Sequence, residues 1–236
     1  MKLPSLLYNK EYGPLPTLLL GLTAVTGIVD AVSILSLGRV FVANMTGNIV
    51  FIGLAIAHAP GFSLISSLFA LVGFLIGAGI GGRLIGKYIK DRGKLFAASC
   101  ITEFVFIVAA LIIGLSLGNP TIGASVYSLS ILLAIMMGVQ NAVVRKLAVP
   151  DMTTTVLTMT LTGIAADIRQ SGWRSTQLAR RIVVVLVMLI GALVGAELVL
   201  NNSAASALIL TAVIILLVLI GALAGARKPG KWRTAN

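Results

Sequence analysis

Apolar residues run through this chain in long, nearly uncharged stretches separated by short polar ones. Six stretches, about 15–37, 62–86, 95–117, 121–147, 181–200 and 204–226, are near or above the roughly 18–20 residues a helix needs to cross a bilayer, and each predicts a spanning helix. Two further apolar stretches, 41–58 and 152–168, are shorter and more polar. The first carries Asn44, Thr46, Gly47 and Asn48. The second carries Thr153, Thr154, Thr155, Thr158, Thr160 and Thr162.

Whether these two short stretches cross decides the topology, and the basic residues arbitrate. If all eight segments cross, the 18 Lys and Arg divide almost evenly between the two sides. If the short ones dip in and return, every basic residue except Arg39 falls on one side. Short loops carry that kind of asymmetry, with the positive side in the cytoplasm. The expectation is therefore an all-α membrane protein of six transmembrane helices plus two re-entrant hairpins, with both termini cytoplasmic. Two helical arms of about nine residues each reach ~13 Å, about half the hydrocarbon thickness. The hairpin tips then fall near Gly47-Asn48 and Leu157-Thr158. Irregular backbone at that depth is tolerated only where protein covers it or a watery cavity meets it.

The chain also repeats itself. Gly27-Ile-Val-Asp30-Ala-Val recurs as Gly138-Val-Gln-Asn141-Ala-Val, and Phe51-Ile-Gly53-Leu-Ala as Leu161-Thr-Gly163-Ile-Ala. Ile76-Gly77-Ala-Gly-Ile-Gly81 recurs as Ile190-Gly191-Ala-Leu-Val-Gly195, and Ile113-Gly114 as Ile220-Gly221. Each unit reads helix, hairpin, helix, helix. Three crossings is an odd number, so the second unit is inverted relative to the first. The organisation is a cytoplasmic segment 1–14, a first repeat 15–118, a second repeat 119–226 and a basic tail 227–236. Inverted-topology repeats with broken segments meeting at the midplane are the architecture of many secondary transporters.

Composition supports the membrane class. Of 236 residues 58% are hydrophobic and 11% charged, against about a quarter charged in soluble domains. The net charge of +11 raises nucleic acid as a partner, but the basic residues sit in short loops between apolar runs, so the expected partner is the lipid bilayer. The first apolar run is long and lacks a small-residue cleavage site before a soluble domain, so no cleavable signal peptide is expected. A single cysteine, Cys100, leaves no internal disulfide or cysteine metal cluster. One histidine and no paired acidic motif make an enzyme, a metal site or a cofactor unexpected.

Two stretches carry a family resemblance. Gly27-Ile-Val-Asp30-Ala through Val40-Phe41-Val-Ala-Asn44-Met-Thr46-Gly47-Asn48, with Gly138-Val-Gln-Asn141-Ala and Pro150-Asp151-Met-Thr-Thr-Thr155-Val-Leu-Thr158, resembles the YoaK-like family of uncharacterised bacterial multi-pass membrane proteins. The resemblance implies a bacterial plasma-membrane location and supplies no chemistry.

The candidate chemistry comes from polar groups inside the apolar runs. An ionised Asp at the centre of a spanning helix costs roughly 2.5–3.5 kcal/mol on insertion scales, so Asp30 should face a polar interior. It is the candidate coupling carboxylate or cation ligand; its bland alternative is a structural acid capped by the hairpin or paired with Arg39. Asn44, Thr46 and Asn48 offer amides and hydroxyls to a solute, or else satisfy the broken backbone. Thr154, Thr158 and Thr162 follow i, i+4, i+8 and make one polar stripe if helical, with Thr155 on the same face. Asn141 is the repeat counterpart of Asp30. Glu103 is a candidate proton relay, and Glu197 near a membrane face is a weaker candidate. Gly73, Gly77, Gly81, Gly191 and Gly195 form small-residue faces for packing within the chain or in a homodimer. His58 reads as a loop residue, and Tyr8, Tyr12, Trp173 and Trp232 as interfacial anchors.

These residues point to a secondary transporter of a small solute, the two halves rocking about the hairpins, with Asp30 carrying the coupling charge. A passive channel and a non-transporting scaffold are the alternatives. No basic residue lies deep in a helix to select an anion, so the solute stays open.

Overall fold

The computed structural model describes residues 11–117, 123–171, 176–227 and 230–234, and these are all-helical. The helices are α1 (Leu15–Ser36), α2 (Met45–Ile56), α3 (Leu64–Tyr88), α4 (Arg92–Leu117), α5 (Ala124–Leu147), α6 (Thr158–Ser171), α7 (Thr176–Asn201) and α8 (Ala204–Arg227). All except α2 and α6 are long and apolar enough to cross a bilayer, and they match the six expected runs to within a few residues. Tyr8 and Trp173 lie outside the described residues.

Local chemistry sets the helix ends. Pro16 sits in the first turn of α1, where its missing amide has no intrahelical partner to lose. That helix stops where the Leu37 amide bonds to the Ser33 carbonyl and Gly38 takes φ +83°. Ala148 ends α5 in the left-handed region, two residues before Pro150. The Ser63 hydroxyl caps α3 by accepting the Ser66 amide at 3.2 Å.

The six long helices run alternately between two ends. One end gathers the start of α1, the α3–α4 turn, the end of α5, the start of α7 and the tail after α8: Leu15, Leu95, Leu147 and Trp232 share one cluster there. Every described basic residue of the loops and helix termini except Arg39 belongs to this end. At the same end Arg233 binds Asp91, and the buried Trp232 ring fills the space where side chains at Gly13, Gly93 and Gly230 would stand. Trp232 is thus a packing residue rather than an interfacial anchor.

Packing crosses the two sequence repeats. The main partner of α3 is α5 and that of α7 is α1, while α4 and α8 meet along a seam. The same close contacts occur twice. Gly77 lies against Ile135 and Gly138 against Phe74; Gly191 lies against Ala24 and Gly27 against Met188, each so close that a Cβ would overlap the facing backbone carbonyl. Gly81 faces Val139 and Ala142 just as Gly195 faces Ile28 and Ala31. Without a hydrophobic drive between helices in lipid, such backbone-to-backbone approach is what holds them together. These glycine faces pack within the chain, the first of the two uses expected of them. Outward-facing Leu186, Leu189, Ile190, Leu193 and Leu200 make α7 the most lipid-like surface.

The two short polar stretches are not pairs of helical arms. Residues 37–44 and 148–157 are non-helical, and only the second arm of each is a helix, α2 and α6. Gly47-Asn48, expected at a tip, stands in the first turn of α2. Arg39 comes to Gly61 and Gly38 to Ser66, while Asp151 bonds Arg181 near the start of α7 at 2.7 Å. Around these stretches five non-glycine residues, Arg39, His58, Ala148, Asp151 and Thr154, hold positive φ, a conformation that L-residues adopt at a cost.

Candidate functional site

One face of α1 carries Thr23, Thr26, Asp30 and Ser33, three and four residues apart. All but the half-buried Asp30 are buried. Thr23 and Thr26 donate to the Leu19 and Leu22 carbonyls at 2.9 and 3.0 Å, which hides their hydroxyls within the helix. Asp30 does more. After α1 ends, the chain turns back along it, and the Ala43 amide donates to Asp30 Oδ1 at 3.3 Å, with the Val42 amide close by. A carboxylate in a spanning helix and the free amides of an interrupted backbone satisfy each other. Arg39 stands beside Gly61 and forms no ion pair with Asp30.

Asn48 completes that turn. Its Oδ1 accepts the Phe41 amide at 2.9 Å and its Nδ2 donates to the Phe41 carbonyl at 2.6 Å, a two-point clamp on the backbone of one residue. The side chain is fully buried, so its polar atoms serve the backbone. Asn44, half-buried at the start of α2, and Thr46, exposed, make no hydrogen bonds among the described residues and stay open to a solute.

The second interruption repeats the first with amides. Asn141 Nδ2 donates to Thr155 Oγ1 at 2.9 Å. Its neighbour Gln140, fully buried, donates from Nε2 to Thr26 Oγ1 and Thr154 Oγ1, both at 3.1 Å. Gln140 therefore ties α1, α5 and the interrupted stretch at one point, and its Oε1 is buried without a partner. Thr154 holds φ +51°, and with Ala148 and Asp151 it makes three strained residues within seven, each costing about 1–3 kcal/mol.

The threonine stripe expected from i, i+4, i+8 spacing does not form. Its premise was a helix through 152–168, whereas α6 starts at Thr158 and leaves Thr154 and Thr155 in the turn. Thr158 and Thr162 are exposed, and Thr162 donates to the Thr158 carbonyl at 2.9 Å. Thr154 and Thr155 are the buried members that reach other helices.

A cavity of about 310 Å³ opens at the end of the bundle that holds Leu15 and Trp232. Asn141, Arg145 and Thr155 line it together with Val144, Val149 and Met152. Arg145 lies one turn beyond Asn141 and pairs with no acid among the described residues, so a cation does stand beside the polar interior after all. At the opposite end Val32, Leu37, Leu129 and Leu208 close on a crevice too narrow for water.

Glu103 is fully buried in α4; Ser99 donates to its Oε1 at 2.7 Å and its Oε2 has no partner. Glu197 is exposed and accepts from Asn201 at 2.6 Å. Exposed His58 is a loop residue. Among the described residues no three of His, Cys, Asp and Glu gather as a metal site.

Sequence reading left out Thr26, Gln140 and Arg145. Gln140 had a signal: it stands where the first copy of the phrase has Val29, an amide in the middle of an apolar run. Thr26 had one too, four residues before Asp30.

Comparison with known proteins fits this architecture. A family described as Protein of unknown function (DUF1275) matches residues 18–221. The UPF0700 transmembrane protein YoaK of Bacillus subtilis (strain 168) is 38% identical over 154 residues, covering 64% of this chain and 66% of that protein. The match thus spans just under two thirds of that relative's length. No solved structure matches the chain.

Proposed function

This chain belongs to the DUF1275 family of multi-pass membrane proteins, and from its residues we propose that it is a secondary transporter of a small solute. The observation that carries this reading is the pair of interrupted backbones, one held at Asp30 and the other at Gln140 and Asn141, the second lining a cavity. Irregular backbone inside an apolar bundle is costly unless something polar meets it, and it recurs at transporter binding sites.

The basic end of the bundle supports a cytoplasmic location for both termini in a bacterial plasma membrane. The two interrupted stretches are then re-entrant, and the duplicated glycine contacts support inverted repeats. In that frame the cavity faces the cytoplasm and reaches up to Asn141, with the Thr26–Gln140–Thr154 knot above it. Asp30 lies one turn beyond the knot, toward the outside. Asp30 carries the coupling charge, Asn141, Asn44 and Thr155 meet the solute, and Glu103 is a second acid for a proton path. The moving bodies are α1 with α7 and α3 with α5, sliding along the α4–α8 seam, because the packing binds helices of different repeats together.

Saturable flux in proteoliposomes tests this, using ligands first identified by their stabilisation of the purified protein. Asp30→Asn should lower coupled flux at least tenfold with little change in melting temperature. Equal, non-saturating flux in both proteins would discard coupling and favour a channel. No flux from either would leave a scaffold.

A further inference from the structure

The cavity beside α5 has a composition that selects its ligand. Its lining holds one charge, the Arg145 guanidinium, and no acid. Arg145 is exposed, forms no ion pair among the described residues and stands one helical turn from Asn141 on the same face. Two other cations near the turn have partners of their own: Arg181 bonds Asp151 at 2.7 Å, and Arg180 donates to the Pro150 carbonyl at 3.3 Å. The polar groups beside Arg145 are also mostly spoken for. Thr153 Oγ1 donates to the Val156 carbonyl at 2.6 Å, Thr155 Oγ1 donates to the Thr153 carbonyl at 3.3 Å, and Asn141 Nδ2 uses one of its two hydrogens on Thr155. What remains open is a planar double donor at Arg145 and the rest of the Asn141 amide, its Oδ1 acceptor and one Nδ2 hydrogen. Between them the wall is apolar: Val144, Ala148, Val149, Met152 and Val156.

A guanidinium fork fits a carboxylate with two parallel hydrogen bonds, and the apolar wall takes a hydrocarbon body. Asn141 Oδ1 would accept from a hydroxyl or amine next to that carboxylate. At about 310 Å³ the space is at the small end of ligand pockets, which run from about 300 to 1,000 Å³. We propose that this cavity is the binding site for a small carboxylate with a short apolar body, drawn from the aqueous phase. The inference rests on the transport reading, for which it names the substrate class. A simple cation is disfavoured because Arg145 would repel it, and a long acyl anion from the lipid shares the head-group chemistry but exceeds the space.

Calorimetry on the full chain in nanodiscs separates these cases. The probes are butyrate, 3-hydroxybutyrate, butylamine and dodecanoate. Butyrate and 3-hydroxybutyrate should bind saturably, the hydroxy acid more tightly, and butylamine should not bind. Arg145→Gln should weaken both carboxylates at least tenfold, and Arg145→Lys should recover part of that loss. Val156→Trp, at the exposed rim, should block them by filling the space, and an unchanged melting temperature verifies that each variant is folded. Absence of carboxylate binding, or equal binding by Arg145→Gln, overturns the proposal. Tighter binding of dodecanoate than of butyrate, lost in Arg145→Gln, overturns the aqueous source. The two readings fail separately. Arg145-dependent binding without any flux sinks transport and leaves the site, whereas saturable flux of another solute that butyrate does not inhibit sinks the site and leaves transport.

Discussion

Asn48 and Asp30 do similar work with opposite consequences. Both hold an interrupted backbone inside an apolar bundle, but Asn48 is fully buried and spends both of its polar atoms on Phe41, whereas Asp30 is only half-buried and takes the Ala43 amide on Oδ1. Asn48→Ala leaves a buried N–H and C=O unpaired, at about 1–3 kcal/mol each. We expect a loss of about 2–5 kcal/mol, seen as a melting temperature several degrees lower in detergent. Asn44→Ala, which breaks no hydrogen bond, should move it by no more than about 0.5 kcal/mol. The identity of these residues was plain in the sequence, since amides and acids stand out in apolar runs. Their roles were not, because whether Asn48 faces a solute or Phe41 depends on where the chain bends, and no periodicity encodes a bend.

At the level of elements, the six spanning helices were legible because length and hydropathy decide them. The two short stretches were half legible. Their short length and polarity set them apart from the spanning runs, but Thr154, expected on a helix, sits at φ +51° in the turn that precedes α6. Threonine is β-branched and rarely chosen for that conformation, so tertiary contacts with Gln140 overrode local preference. The glycines of α3 give a matched test of the packing. Gly77 touches the Ile135 carbonyl, while Gly79, on the same helix, has nothing within 4 Å. Gly77→Ala should force α3 and α5 apart and lower the melting temperature by several degrees. Gly79→Ala should be neutral or stabilising by up to about 1 kcal/mol, because alanine is the better helix former. Equal effects would mean that the α3–α5 contact does not hold the bundle.

For the whole molecule, the end that gathers the start of α1 and the α3–α4 turn is fastened by Trp232 and by Arg233 on Asp91. Burial pushes the Asp91 carboxyl up, but hydrogen bonds from Arg233 and the Lys94 amide outweigh it and hold it below its usual range. A carboxyl lowered in the folded state stabilises the fold above its ordinary value of about 4, and that contribution fades as pH falls through the lowered value. Melting temperature should therefore drop more steeply between pH 5 and pH 3 in the natural chain than in Asp91→Asn. Parallel curves would show that this ion pair adds nothing. The crossed packing has one more consequence, in the order of manufacture. As the ribosome releases the chain, α1 enters the membrane with its main partner, α7, still more than a hundred residues from being made. The glycine face of α1 must wait bare, in lipid or in the translocon, through five intervening helices. Assembly is therefore a closing step after synthesis, and truncation anywhere before α7 should leave a product for quality-control proteases instead of a half-working protein.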